Sequence, residues 1–317
     1  MIRALSLVSV ALAVAAMACR EVSNDDPDAG AGADGRTDAG TGYPPPRSGL
    51  VPAVGSEATF DLATWNIENF PKDMATAALA ADLITSLALD VVVVEEVANE
   101  AAWNELAARL PYHEALLSPH VYSATEYQKL GVLYRRPLVS VAPLRLLFNG
   151  DTFDFPRPPI QVSISVDDGE HARMAFDLIG VHLKAGVTTE DRTRRRNAIV
   201  DLDAHVRAQV DGGGEDEVVM LGDFNEVVTD AAGQGVFAPF LTAADRYKMQ
   251  TQAYAQGGGI TYINFGGRAL DHIVTTAGLA AEVAGGELVV PRLDQSFGGY
   301  EGLLSDHLPV VLRVPLR

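Results

Sequence analysis

Val91-Val92-Val93-Val94-Glu95-Glu96 decides how the chain folds. Four valines in succession demand a strand buried on both faces, because a half-exposed strand alternates apolar with polar residues. The strand then ends in two carboxylates, which are costly at the edge of a core unless a cation or a helix N-terminus answers them. Upstream, Met74, Ala77, Ala81, Ile84 and Leu87 recur at helical spacing between Asp73 and Leu89. Before them, a β-rich run from Thr59 closes on Glu68-Asn69. Downstream, the pattern predicts a helix from Asn99 to Arg109 stopped at Pro111, then strands over 131–134, 139–147 and 160–166. An Asp167-Asp168-Gly169 turn makes a hairpin to the strand 174–183. A long helix over 189–210 ends at Gly212-Gly213-Gly214, and strands over 218–221, 270–274 and 308–314 complete the count.

Polar groups collect at the ends of these apolar runs: Asn66, Glu96, His182, Asp223, Asn225, Asp271, Asp306 and His307. Any one of them reads as a cap or turn-former satisfying loose backbone groups. Eight together read as one site. Ser305-Asp306-His307 is the densest instance, with a small hydroxyl, a carboxylate and an imidazole just ahead of the apolar run Val310-Val311-Leu312.

Trp65-Asn66-Ile67-Glu68-Asn69-Phe70, Val94-Glu95-Glu96-Val97, Val181-His182-Leu183-Lys184, Gly222-Asp223-Phe224-Asn225, Leu270-Asp271-His272 and Ser305-Asp306-His307-Leu308-Pro309-Val310 resemble, in order, the motifs of the endonuclease/exonuclease/phosphatase superfamily, of the deoxyribonuclease I-like kind. The resemblance implies an α/β (α+β) fold, a four-layer α/β-β/α sandwich of two packed mixed β-sheets flanked by helices, with a divalent-metal site at one end of the sheets. It implies Glu96 as principal metal ligand, assisted by Asn66 and Asp306. Asp223 and Asn225 would orient or deprotonate water and hold the phosphate, with Asn66 and Arg157 also binding substrate. His307 would contact the scissile phosphate or move a proton, Asp271 would fix its tautomer, and His182 would serve in acid-base catalysis. Carboxylate and carboxamide donors without thiolates suit Mg²⁺, with Mn²⁺ or Ca²⁺ as alternatives. Two positions stay open. Arg157 lies between Pro156 and Pro158, where a surface-loop reading is equally available. Where the family places a Glu beside the equivalent of His182, this chain has Tyr127-Gln128-Lys129, so His182 has no assigned carboxylate partner.

The 317 residues, 48% of them hydrophobic, supply ample material for a large core. A net charge of −18 excludes a binder that works through an overall basic face, while it suits an acidic enzyme that recruits cations. The dense basic cluster Arg192, Arg194, Arg195 and Arg196 reads as a solvated helix face or as a local phosphate track. The lone cysteine, Cys19, precludes an intramolecular disulfide. Residues 1–18, with Arg3 ahead of an apolar run and small residues at Ala16-Met17-Ala18, read as a signal peptide. Ala16-Met17-Ala18-Cys19 resembles the lipobox of bacterial lipoproteins, with Ala16 in the place of the usual Leu. Residues 19–50 read as a flexible acidic tether and 51–317 as the folded domain. The expected protein is exported, a monomer held to the cell envelope membrane through a lipid on Cys19, or secreted if Cys19 is not lipidated.

The expected activity is metal-dependent hydrolysis of a phosphodiester outside the cytoplasm, with nucleic acid as substrate. One alternative is a lipid head-group phosphodiesterase of the sphingomyelinase-like kind, or a phosphatase of the same superfamily. A lipid-active enzyme needs an apolar loop beside the site, and Tyr262-Ile263-Asn264-Phe265 or Ser296-Phe297-Gly298-Gly299-Tyr300 offers one. The other alternative is a surface binding protein that keeps the fold without the activity.

Overall fold

In a computed structural model of the chain, which describes residues 43–122, 128–169 and 172–316, none of Val91 to Val94 is more than 1% exposed. The signal segment, Cys19 and the tether as far as residue 42 lie outside the described residues, as does Tyr127. The folded unit runs Thr41–Arg317. Its contacts begin ahead of the boundary expected at residue 51: Arg47 bonds Asp82 through its backbone and side chain, Leu50 packs on the core, and Ser86 Oγ accepts from Leu50 N.

Thirteen strands form two sheets among the described residues: β1 (Thr59–Phe70), β2 (Val91–Val97), β3 (His113–Leu117), β4 (Lys129–Arg135), β5 (Val139–Val141), β6 (Arg145–Leu146), β7 (Ile160–Asp167), β8 (Ala172–His182), β9 (Val218–Asp223), β10 (Tyr247–Met249), β11 (Asp271–Thr276), β12 (Glu287–Val289) and β13 (Val310–Pro315). One sheet has the order β12-β13-β1-β2-β4-β3; the other has β10-β11-β9-β8-β7-β5, with β6 also pairing β7. Both are mixed, with β1 parallel to β2 and β8 parallel to β9. The single strand expected over 139–147 is split into β5 and β6 around Pro143, which has no N–H to give a ladder.

The main helices are α1 (Thr76–Leu87), α2 (Glu100–Arg109) and α3 (Thr189–Asp211). Asn99 caps α2 by accepting from Ala102 N, and Thr188 with Asp191 forms a capping box on α3. Alternation along β2 explains the layering. Val92 and Val94 join the cluster that contains α1 and α2, while Val91 and Val93 join the cluster between the sheets. A third cluster packs Ile199, Leu202 and Val206 of α3 on the outer face of β8 and β9. The result is the four-layer sandwich of helices, sheet, sheet and helix. Each fully buried valine contributes ~1.5–2 kcal/mol of transfer free energy, so a charge at Val91 or Val93 would be among the most disruptive single changes.

Candidate active site

The ends of β8, β9 and β11 put three titratable side chains in one row. His182 is opposite Asp223, and Asp223 is opposite Asp271, so all three share the face that looks toward the other sheet. Gly222 allows the row to form, since its φ is +147° and a Cβ there would meet Val181 O at 1.9 Å. Asp223 is buried and tightly held. Its Oδ1 accepts from Asn225 N at 2.8 Å, and its Oδ2 accepts from Asn225 Nδ2 and from Asn66 Nδ2, both at 3.1 Å. Asn66 ends the inward-facing row of β1, so this last bond spans the two sheets.

Glu96 reaches the site by a departure from alternation. Strand parity places Glu95, not Glu96, on the inner face with Val91 and Val93. Glu96 has φ +64°, and the β1/β2 register shifts beyond Asn66. Its Oε1 accepts from Asn66 Nδ2 at 3.3 Å and its Oε2 from Asn69 N at 2.9 Å. Glu95 is wholly buried beneath the site, where its Oε1 accepts from Thr64 Oγ1 at 2.6 Å and its Oε2 has no hydrogen-bond partner among the described residues.

The loop before β13 is stitched to β1 by groups outside the expected site. Ser305 Oγ donates to Asn66 O at 2.6 Å and accepts from His307 N at 2.9 Å. Trp65 Nε1 donates to Tyr300 Oη at 3.0 Å, and Tyr300 Oη donates in turn to His307 O. His307 Nδ1 lies 2.8 Å from Asp271 Oδ2, which also accepts from Thr261 Oγ1 at 2.5 Å. The Tyr262 ring covers the imidazole at 4.9 Å between centroids.

These contacts split the two histidines. Burial alone would lower the pKa of His307, but Asp271, Asp223 and Asp306 raise it to about 10, so it is an imidazolium at neutral pH. Asp223 is raised to about 7 by burial, with His307 opposing and Asp271 and Glu96 adding to the rise. His182 is held neutral, first by burial and then by the charges of Arg157 and His307. Its Nε2 is 3.6 Å from Asp223 Oδ2 and 3.7 Å from Glu96 Oε1, beyond hydrogen-bonding distance, and its Nδ1 has no partner among the described residues. These proximities are therefore not ion pairs, because the imidazole carries no charge.

Arg157 is half-buried in the loop ahead of β7, close enough to His182 for its charge to act on that imidazole. Its Nη1 donates to Leu183 O at 3.4 Å, and its Nη2 donates to Gln128 Oε1. Gln128 also donates to Asn69 Oδ1 at 2.8 Å. The position where sequence comparison sought a carboxylate thus holds a carboxamide that fastens Arg157.

Oxygen donors for a cation gather on the other side of Asn66. The expected set of Asn66, Glu96 and Asp306 is joined by Glu68, whose Oε2 accepts from Asp306 N at 2.8 Å while Asn66 Oδ1 accepts from Glu68 N at 2.9 Å. Asp306 is raised to about 6 by burial, with His307 opposing and Glu68 adding to the rise. Glu68 and Asp306 repel each other, although Lys72 also pairs with Glu68 Oε2; hard oxygens without sulfur are the donor chemistry of Mg²⁺, Mn²⁺ or Ca²⁺. Asp223, Asp271 and His307 have ligand atoms within 4.8 Å of one another, closer than Glu68, Glu96 and Asp306 come together. That trio is the poorer candidate, because His307 is protonated and its Nδ1 is already given to Asp271. Glu68, inside the quoted Trp65–Phe70 segment and in phase with Thr64 and Asn66, is not among the expected ligands; its backbone is left-handed, with φ +42°.

The model of the Endonuclease/Exonuclease/phosphatase family matches residues 63–307. Among solved structures, the catalytic domain of human Nocturnin with bound sulfate has 15% identity and a TM-score of 0.58, covering 82% of this chain and 95% of that one. An endonuclease/exonuclease/phosphatase from Bacteroides vulgatus has 19% identity and a TM-score of 0.57, covering 82% and 100%. D. rerio TDP2 complexed with a single-strand DNA product has 14% identity and a TM-score of 0.56, covering 81% and 99%. No curated protein matches the chain. At these identities the structures speak for the fold.

Proposed function

The chain belongs to the endonuclease/exonuclease/phosphatase family of hydrolases, and from that membership we propose that it is a divalent-metal-dependent phosphodiesterase whose substrate is nucleic acid. The observation that carries the proposal is the His307 imidazolium, fixed by Asp271 at 2.8 Å and facing Asp223, with the oxygen donors of Asn66, Glu68, Glu96 and Asp306 linked by hydrogen bonds nearby. Glu96, Asp306 and Glu68, with Asn66, would hold the ion. A bound divalent cation supplies neutralisation of charge that builds on the non-bridging phosphate oxygens.

The side chains divide the remaining work. Asp223, clamped by two carboxamides and able to exchange a proton near neutral pH, takes the proton of the attacking water. His307 presents Nε2–H to a phosphate oxygen, and Asp271 keeps that nitrogen protonated. Asn225 and Arg157 grip the phosphate, and neutral His182 offers a proton acceptor on the opposite side of Asp223. The likeness of fold to a protein captured with a single-strand DNA product supports a nucleic-acid substrate.

Supercoiled DNA is expected to be degraded with Mg²⁺ or Mn²⁺, and EDTA is expected to abolish the reaction. Asp223→Ala is expected to lower kcat by about 10³-fold or more; unchanged turnover in that variant would refute the assignment of the site.

A second reading, a lipid head-group phosphodiesterase, has one observation in its favour. Phe265 is 83% exposed on the loop that bears Tyr262, against the ring of His307. The other candidate loop does not serve, since Tyr300 is 1% exposed and Phe297 packs on the core. Parallel assays on DNA and on sphingomyelin vesicles separate the readings. Export and lipidation at Cys19 rest on the sequence of residues 1–19, and mass spectrometry of the mature N-terminus tests them. No helix among the described residues is long and apolar enough to cross a membrane.

A further inference from the structure

Beside the site the surface opens into a recess of about 490 Å³ that shares only Asn225 with the groups assigned to catalysis. Asn225 and Leu270 form its near wall, and each is adjacent to a site element: Asn225 holds Asp223, and Leu270 precedes Asp271. Its far side carries Arg192, Arg195 and Arg268.

The three arginines differ in what they have left to give. Arg195 is 2% exposed and spent, donating to Glu226 Oε2 through Nε and Nη2 and to Lys184 O and Gly186 O through Nη1. It also consumes the charge of Glu226. Arg192 is half-buried and bonds the same Glu226 oxygen through Nε alone, at 3.1 Å. Arg268 is exposed and forms no ion pair among the described residues. Its backbone is nonetheless pinned: Arg268 N donates to Tyr262 O at 2.9 Å, Arg268 O accepts from Thr261 N and Tyr262 N, and Tyr262 bridges to His307. The remaining acid on the wall, Asp230, accepts at Oδ1 from Gly233 N. The recess therefore holds three cations against two carboxylates, in a chain whose net charge is −18. A positive pocket on so acidic a protein, anchored to the frame of the active site, is suited to a second anion presented together with the first.

We propose that this recess is a phosphate subsite, in which Arg192 and Arg268 take the phosphate next to the scissile one, so that the enzyme prefers a nucleic-acid strand with at least two consecutive phosphodiesters. The proposal rests on the phosphodiesterase reading above and narrows its substrate. A lipid head group with a single phosphate cannot occupy both places. Arg195 neutralises Glu226 and ties down the loop at Lys184 and Gly186 that borders the recess.

The test compares a dinucleoside monophosphate with a trinucleoside diphosphate, using the full chain with Mg²⁺ or Mn²⁺. The second phosphate is expected to raise kcat/KM by about tenfold, the worth of one charge-assisted contact. Arg268→Ala and Arg192→Gln are each expected to bring that ratio close to one, and to reduce the salt dependence of oligonucleotide cleavage by about one phosphate contact. Arg268 is exposed, so its variant tests binding and not folding. A wild-type ratio near one, or a tenfold ratio kept in both variants, overturns the subsite while leaving the hydrolase reading in place. If the wild type cleaves neither substrate, or cleaves only sphingomyelin, the nucleic-acid reading itself fails and the subsite falls with it.

Discussion

His307 and His182 are both buried imidazoles on either side of Asp223, yet they stand in opposite protonation states. His307 sits on a loop fastened by Ser305, Tyr300 and Tyr262, with Asp271 at hydrogen-bonding distance and Asp306 and Asp223 at 3.9 Å. Three carboxylates overcome the burial that would otherwise strip its proton. His182 ends a central strand of the sheet, has an Nδ1 without a partner among the described residues, and faces the guanidinium of Arg157. Burial and a neighbouring cation then act in the same direction. One residue type thus yields a fixed donor on the loop side and a neutral acceptor on the strand side, and the difference lies in which partners the fold delivers. Asp223 between them, raised to about 7, is the group able to pass a proton to either side.

Asp271→Asn attacks that contrast most directly. Without the carboxylate, the strongest influence raising the pKa of His307 is gone, and burial pulls it toward the state of His182. Turnover of DNA is expected to fall about 10²-fold. The alkaline limb of the pH dependence of kcat/KM should also move well below pH 10. A variant with the wild-type limb would show that Asp271 does not control the charge of His307.

The same contrast predicts a stability effect. The pKa of His307 is raised from 6.5 to about 10 in the folded state. Its contribution is therefore fully present below pH 6.5 and is lost as the pH rises toward 10, because the unfolded chain gives up the proton first. Urea unfolding in a chelator is expected to show stability falling by on the order of 2 kcal/mol or more across that window. His307→Asn should flatten the dependence, and a slope that survives the substitution would assign it to another group. His182, neutral in both states near pH 7, should add nothing to it.

The two regions were unequally legible in the sequence. The strand-end residues His182, Asp223 and Asp271 could be read because each follows or begins an uninterrupted apolar run, and strand register then aligns them without further information. The four valines of β2 foretold a sheet covered on both sides for the same reason. The strands that escaped notice, β3, β10 and β12, are all sheet edges, and β10 and β12 have three residues each, too few to establish a period. Glu96 reaches the site through left-handed backbone, which a period-2 reading cannot anticipate. Tyr300, Thr261 and Gln128 act by long-range contacts whose partners no local pattern names.

The smallest effect sought lies on the His182 side, where two influences lower the same pKa and can be separated. Arg157→Met removes the charge and the phosphate contact while keeping the stem, so kcat/KM on DNA is expected to fall about tenfold, the worth of one charge-assisted hydrogen bond. If the guanidinium were the main reason His182 is neutral, the variant would also acquire a new acid limb near pH 6.5. Burial is the larger cause, however, and Arg157 the second. The acid limb should therefore move by less than about one pH unit, since a charge removed from a site already closed to water leaves the desolvation cost untouched. Titration of His182 by NMR in wild type and variant decides between the two. A pKa that returns to its ordinary value in Arg157→Met would make the neutral state of His182 a product of Arg157, and its difference from His307 a matter of one cation and not of burial.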